Sequence, residues 1–350
     1  MRLSELGEDF FLKELARRFP TAGEHVVLGI GDDAAILDPP SGERVLLTTD
    51  SLVEDVHFSR KWMPPRFLGR KAVAVNVSDI AAMGGEPLGA LLSLTVSPES
   101  EVEALWQLVE GVDERARELG MSLVGGNLAS SPGGMVVDVT VAGATVRKRA
   151  LMRSGAKPGD GLYLSGKIGA SATGLKLLEQ GAALAPGGGF LVPEGLREGP
   201  IPLAEACIRA HLDPEPRISL GRALNGKRIA TACIDVSDGL ALDLHRLCRA
   251  SGVGARIEEA SLPLSPGLLA WERAWKRDPV LAAVSGGEDY ELLFASRSED
   301  KVERLRGRLD LPITRIGEMT EEEGVALVGR DGQVRPLSPL GWNHFGKQAV

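Results

Sequence analysis

Residues 72–90 read AVAVNVSDIAAMGGEPLGA. Val73, Val75 and Val77 alternate with smaller or polar neighbours, a period of two that predicts a β-strand. The run stops at Ser78-Asp79. Ile80, Ala81, Ala82 and Met83 then predict a short helical turn, which Gly84-Gly85 stop and Pro87 forbids to continue. Asp79 is therefore expected where a strand gives way to a helix. That place suits a functional carboxylate, and it equally suits a plain helix N-cap. Three further apolar runs end on acidic residues in the same way: GIGDDAAIL with Asp32 and Asp33, VLLTTDSLVEDVHF with Asp50 and Asp55, and ATACIDVSDGL with Asp235 and Asp238.

Val77-Ser78-Asp79 recurs as Val236-Ser237-Asp238, an echo compatible with two halves on one plan but too short to establish it. If the strand ends converge, their carboxylates share one cavity. A carboxylate pair about 4 Å apart costs ~4 kcal/mol at an effective dielectric near 20. Several such pairs rival the net stability of a whole domain, roughly 5–15 kcal/mol. Convergence therefore calls for cations, and all-oxygen ligation selects hard ions, Mg²⁺ first where phosphate chemistry is involved.

The chain has 350 residues, a length that predicts two domains, and it is 43% hydrophobic and 25% charged, enough to bury a full core. Its formal net charge is -8 with no basic run, which argues against a nucleic-acid partner. Cys207, Cys233 and Cys248 form no CxxC pair and read as buried small residues in a reducing compartment. No signal peptide or membrane-length apolar run is present in the sequence, so a cytoplasmic protein without membrane contact is expected.

Strands are expected over 26–29, 45–49, 72–79, 88–96, 122–124 and 135–146. Helices are expected over 6–19 and from 97, with Ser97 as N-cap and Pro98 at the first position. Past a basic break at 147–149 the reading is a strand over 162–165, a helix over 170–180 and a Gly/Pro loop over 185–202. Helices follow near 203–210 and 218–224, then a strand over 229–235 and a helix over 240–250. The last elements are a helix near 267–276, a strand pair at 280–285 and 290–295, and a charged helix over 299–309. The domain boundary falls near Ala150.

Gly161, Gly166 and Lys167 have P-loop spacing, but Ile168 stands where a Ser or Thr must hold Mg²⁺, so the segment reads as a turn after a strand. GGNLASSPGG, residues 125–134, is a better phosphate-loop candidate, since glycine lets backbone N–H groups approach closely; a plain hairpin loop is the competing reading. SGGEDYELLF, residues 285–294, sets Glu288, Asp289 and Glu291 after a Gly-Gly turn, as part of a core-facing hairpin. The five histidines lack zinc-site spacing, and no GxSxG elbow supports acyl transfer.

GIGDDAA, TTDSLVEDVHF, NVSDIAAMGG, RSGAKPGD, IDVSDG, SGGEDYEL and GWNHF occur in this order along nearly the whole chain. Together they resemble the thiamine-monophosphate kinases, in the superfamily of aminoimidazole-ribonucleotide synthetase and selenophosphate synthetase. The resemblance implies an α/β (α+β) fold of two domains. Residues 1–149 would bind ATP and Mg²⁺ and dimerise through their strands, and residues 150–350 would form an α/β domain completing the active site. It implies a homodimer that phosphorylates thiamine monophosphate to thiamine diphosphate with ATP, by direct in-line transfer. Asp33, Thr48, Thr49, Asp50, Asp79, Asp235 and Asp238 would hold several Mg²⁺ ions, with Asp50, Asp79 and Asp238 catalytic. Gly125, Gly126, Arg153 and Ser237 would contact ATP, and His57, Glu288 and Trp342 the thiamine moiety. Asn127 stands where the family often has Asp; its carboxamide oxygen can ligate Mg²⁺ with less charge.

The residues agree with this reading in one respect. No general base is evident beside the carboxylates, and a phosphate acceptor needs none, because its second pKa is near 6. Two readings compete: an aminoimidazole-ribonucleotide-synthetase-type ATP-dependent ligase, and a non-catalytic nucleotide or metal sensor.

Overall fold

A computed structural model of the chain describes residues 26–28, 35–37, 44–145, 149–185, 189–196 and 200–345. The helix expected over 6–19, and Asp32 and Asp33, lie outside the described residues.

A first sheet is built from β1 (Val26–Leu28), β2 (Ala35–Leu37), β3 (Val45–Val53), β4 (Gly85–Val96), β5 (Ser122–Ser130) and β6 (Val136–Thr145), in the order β1-β2-β3-β6-β4-β5. Only the β4–β5 pair is parallel. Parallel neighbours need a crossover, supplied by helix α2 (Val102–Glu118), which packs on helix α1 (Pro65–Ala82). After residue 160 come β7 (Gly161–Ser165), α3 (Ala170–Glu179), a small ribbon of β8 (Ala183–Leu184) and β9 (Phe190–Leu191), α4 (Ile201–Leu212), α5 (Ile218–Gly226) and β10 (Ala232–Asp235). Then follow α6 (Leu240–Ser251), β11 (Gly254–Glu258), α7 (Pro266–Ala274), α8 (Pro279–Ser285), β12 (Leu292–Ser296), α9 (Glu299–Arg306), β13 (Ile313–Thr320), β14 (Val325–Val328) and β15 (Val334–Pro336). The second sheet runs β10-β12-β7-β13-β11-β14-β15. No described helix is long and apolar enough to cross a membrane.

The strand expected over 72–79 is instead the interior of α1. Pro64 and Pro65 start the helix, Pro65 at a position whose missing N–H is not needed. Every residue from 71 to 78 is buried. A helix buried on all sides is apolar on all sides, so its 3.6-residue period vanishes from the sequence and the alternating valines imitate a strand. β-Branched residues lose under ~0.7 kcal/mol of helix propensity each, against roughly 1.5–3 kcal/mol for fully burying a valine. Burial therefore decides. Gly69 and Gly111 let α1 and α2 touch: a Cβ on Gly69 would lie 2.1 Å from the Leu108 carbonyl oxygen, and one on Gly111 2.0 Å from that of Arg66.

Other expectations change as well. Residues 280–285 form α8, capped by Asp278, whose carboxylate accepts from Val280 N–H at 2.9 Å, with Pro279 at the first position. SGGEDYEL therefore links a helix to β12 and is no hairpin turn. Ser97 closes a turn with Ser100, and α2 begins only at Val102. Gly125 to Ser130, the first part of the expected loop over 125–134, belongs to β5. The Val-Ser-Asp echo is not structural, since Ser78-Asp79 lies in a helix and Ser237-Asp238 in a loop after β10.

The last turn of α1 is gripped from the second half of the chain. A Cβ on Gly221 of α5 would lie 1.9 Å from the Ala81 carbonyl oxygen. Asn225 Nδ2 donates to the carbonyls of Gly84 (3.1 Å) and Arg149 (2.8 Å), and Leu151 N–H donates to Met83 at 2.9 Å. Farther along, Arg70 pairs with Asp213 (3.0 Å) and Arg115 with Glu215 (2.6 Å).

Candidate active site

The two-residue period of β3 turns Thr48 and Asp50 to one face and Thr49 and Ser51 to the other. Thr48 Oγ1 donates to Asp79 Oδ2. Asp79 thus sits in the final turn of α1, with Met83 N–H donating to its carbonyl at 3.0 Å. A carboxylate there opposes the helix dipole, so the N-cap reading does not apply. Its neighbour Ser78 points elsewhere: Ser78 Oγ donates to Asp235 Oδ2 at 2.6 Å, in a buried contact between α1 and the end of β10.

Beyond β10, Ser237, Asp238 and Gly239 form a tight turn into α6, with Gly239 at φ +127°. One carboxylate organises that turn. Asp243 Oδ2 accepts the backbone N–H groups of Ser237 (3.1 Å), Asp238 (3.0 Å) and Gly239 (3.1 Å). Burial, helped by the charge of Asp238, pushes the Asp243 carboxyl up to about 7. Arg246 Nη1 bridges Asp238 (2.5 Å) and Asp243 (2.8 Å), and Arg153 lies within electrostatic reach of both Asp243 and Arg246.

Each carboxylate of SGGEDYEL has its own partner. Asp289 accepts Gly169 N–H (2.9 Å) at the start of α3, and burial pushes its carboxyl up to about 8. Glu291 holds Arg217, whose Nε donates at 2.8 Å. Glu288, at a left-handed φ of 65°, pairs with Lys71 Nζ (2.7 Å) and His211 Nδ1 (3.2 Å). Burial alone would raise its pKa, but Lys71 and His211 outweigh that and hold it well below the usual carboxylate range.

Tyr290 reports the convergence. Burial raises its phenol well above the ordinary value, and the charges of Glu288, Asp50, Asp235 and Asp238 raise it further. Aromatic rings close one side. His57 and His344 stand 4.9 Å apart between ring centroids, and Trp342 meets His344 edge-on at 5.7 Å. The backbone N–H of Trp342 donates to the Asp238 carbonyl at 2.9 Å. Burial lowers the His57 pKa, and so does His344, while Glu288 opposes them.

The fold thus gathers Thr48, Asp50, Asp79, Arg153, Asp235, Ser237, Asp238, Glu288, His57 and Trp342 at the seam between the two sheets. It places Thr49, Gly125 and Asn127 elsewhere. Register aligns Thr49, Thr140, Leu91 and Gly125 in one row across the first sheet, and Ser51, Asp138, Ser93 and Asn127 in the next. Those rows lie on the face opposite Thr48 and Asp50. Gly126, between them on β5, backs closely onto the Leu92 carbonyl. Lys71, His211, Asp243, Arg246 and His344 are the residues that sequence reasoning missed. The one available signal was Lys71, a charge opening a long apolar run.

Among the described residues, no three His, Cys, Asp or Glu side chains form a closed metal cage. The carboxylates and the Thr48 hydroxyl at the seam offer oxygen atoms, the set that suits a hard cation shared with phosphate oxygens.

Residues 31–145 match the family model for the AIR synthase related protein N-terminal domain, and residues 157–330 that for the C-terminal domain. The thiamine-monophosphate kinase of Bacillus subtilis (strain 168) is 38% identical over 91% of this chain and 94% of its own length. That of Aquifex aeolicus (strain VF5) is 36% identical over 99% of this chain and 100% of its own. The solved structure of AaThiL complexed with AMPPCP and TMP superposes with a TM-score of 0.83 at 35% identity, covering 98% of this chain and 99% of that one. The acidic seam thus sits on a chain that matches these kinases from end to end, and the protein belongs to the thiamine-monophosphate kinase family within the AIR synthase related proteins.

Proposed function

We propose that this protein transfers the γ-phosphoryl group of ATP to thiamine monophosphate, giving thiamine diphosphate and ADP. The observation that carries the reading is the last turn of α1, which joins carboxylates of the two halves through Thr48 to Asp79 and Ser78 to Asp235, in a chain that aligns with a kinase solved with AMPPCP and TMP.

Thr48, Asp50, Asp79, Asp235 and Asp238 supply the oxygen atoms that would hold Mg²⁺, and Asp33 would join them. Bound Mg²⁺ would supply charge neutralisation between two anionic phosphates and alignment for in-line displacement. The protein's own residues do the rest. Asp243 fixes the backbone of the turn that carries Asp238. Arg153 and Ser237 face the ATP phosphates, while His57, Trp342 and Glu288 receive the thiamine moiety. No side chain has to remove a proton, since the acceptor phosphate is mostly ionised at pH 7.

Residues 1–149 and 150–350 form the two domains, and the enzyme is a homodimer joined through the first sheet. Exposed Leu88, Leu91, Val124 and Leu128 on β4 and β5 support that surface. Thr49, Gly125, Gly126 and Asn127 belong to the same sheet, and pairing with a second copy would bring them to the nucleotide and its metal ions.

The test is to incubate the protein with ATP, Mg²⁺ and, separately, thiamine monophosphate, thiamine, formylglycinamidine ribonucleotide and selenide. Thiamine diphosphate and ADP are expected from the first mixture alone, because thiamine lacks the phosphate that bound Mg²⁺ would anchor. Product from the amidine ribonucleotide would move the enzyme to ligase chemistry. ATP hydrolysis without any acceptor product would refute the assignment.

A further inference from the structure

Lys71 has no place in the chemistry above, yet among the described residues it is a cation wholly enclosed beside the site. Its side chain is 0% exposed in the middle of α1. Its ammonium lies 2.7 Å from Glu288 Oε1 and 3.5 Å from His211 Nε2. The second carboxylate oxygen of Glu288 is taken by His211 Nδ1 at 3.2 Å, and Ser171 Oγ lies 3.1 Å from that same nitrogen. The Trp62 ring packs against the imidazole, with centroids 5.5 Å apart. Both oxygens of Glu288 are thus engaged by buried partners, while 27% of its side chain stays exposed. The backbone is pinned as well: Glu288 N–H donates to the Ser237 carbonyl at 2.6 Å and φ is left-handed.

We infer that Lys71 is a positioning residue for the acceptor substrate, holding Glu288 as a fixed hydrogen-bond acceptor for an N–H donor on the substrate's heterocycle. The inference rests on the functional reading above. A carboxylate already paired with an ammonium offers little net charge to a cation, but its outward lone pairs still accept hydrogen bonds. The chemical class recognised is therefore an exocyclic amine, as on an aminopyrimidine, and not the thiazolium charge. Lys71 acts only through Glu288.

The experiment is a double-mutant cycle read by steady-state kinetics, with Lys71→Met, Glu288→Gln and the double variant against wild type. The acceptors are thiamine monophosphate and oxythiamine monophosphate, in which a carbonyl replaces the amine. Circular dichroism melting checks each fold. Lys71→Met should raise the KM for thiamine monophosphate at least about tenfold, with kcat and the KM for ATP within about twofold. The double variant should match Glu288→Gln alone, and the preference for the amine over the carbonyl analogue should fall in all three variants. Lys71→Met leaves a buried carboxylate without its ammonium and so risks misfolding, whereas the double variant removes both charges together. The comparison of the double variant with Glu288→Gln stands without the single one. Additive KM effects, a change confined to kcat, or an unchanged amine preference would overturn the inference while leaving the kinase reading intact. A wild-type protein that makes no thiamine diphosphate would overturn both.

Discussion

Gly221→Ala adds a single methyl group at the contact that fixes the end of α1. Its Cβ would lie 1.9 Å from the Ala81 carbonyl oxygen, against 3.4–4 Å for an ordinary contact. The two helices must therefore part by about 1.5 Å, because neither atom belongs to a flexible side chain. Alanine gains about 1 kcal/mol of helix propensity over glycine. Overpacking typically costs 1–3 kcal/mol, and a backbone obstacle places this case at the upper end. A net loss of about 1–2 kcal/mol is expected, which lowers Tm by roughly 1–3 °C in a chain of 350 residues. The functional effect should be larger. Asp79 precedes Ala81 by two residues on the same turn, and about 1 Å of misplacement in a phosphoryl-transfer site can lower the rate about 100-fold. Melting by circular dichroism and kcat by thiamine diphosphate formation check the two figures. An unchanged Tm with kcat within twofold of wild type would mean that α5 does not hold the last turn of α1.

Asp79→Asn should abolish Mg²⁺-dependent turnover while leaving the melting curve nearly unchanged; ATP turnover near the wild-type rate would leave Asp79 no part in phosphoryl transfer. Trp342→Ala should raise the KM for thiamine monophosphate about tenfold, the factor that ~1.4 kcal/mol represents, with the KM for ATP unaffected. Loss of both affinities together would mark Trp342 as a structural closure of the tail. Stability should respond to acid through Glu288. Its folded pKa lies below the 4.5 of the unfolded chain, so its ion pairs contribute fully above about pH 4.5 and are lost as pH falls through the folded value. The Tm of wild type should accordingly drop more steeply below pH 4.5 than that of Glu288→Gln, and parallel curves would count against a charged Glu288.

The motifs that carry chemistry were legible in the sequence because glycine, aspartate and proline at fixed offsets leave few alternatives. IDVSDG ends a strand and turns into a helix as expected, and Gly166 and Gly169 adopt the positive φ that a turn after β7 requires. The reading failed where burial removes periodicity. Over residues 71–78 of α1 every face is covered, so valines at alternate positions carry no information about which face is inside. In α8 the Asp278-Pro279 start was available as a helix signal and was outweighed by the apolar run that follows it. The strands β11 and β13 went unread because charged residues break their apolar runs, as in Arg256, Arg315 and Glu318, and β14 and β15 because they are only 4 and 3 residues long. The partners of the site residues were not legible at all. Lys71 and Glu288 are 217 positions apart, and only the fold brings them to 2.7 Å.

The corrected reading of residues 72–79 also explains how two sheets come to share one acidic seam. Consecutive residues on a strand point to opposite faces of the sheet that holds it, so a strand ending at Asp79 would serve one sheet. Consecutive residues on a helix diverge by about 100°, and a helix can lie between two layers. Ser78 and Asp79 use that divergence: Ser78 donates to Asp235 on the second sheet, and Asp79 accepts from Thr48 on the first. One turn of α1 thereby sets the spacing between carboxylates that come from opposite halves of the chain. The burial that hid the helix from sequence reasoning is the same burial that keeps this turn rigid, since its flanks are filled by Ile80, Ala81, Ala82 and Met83, each 0% exposed.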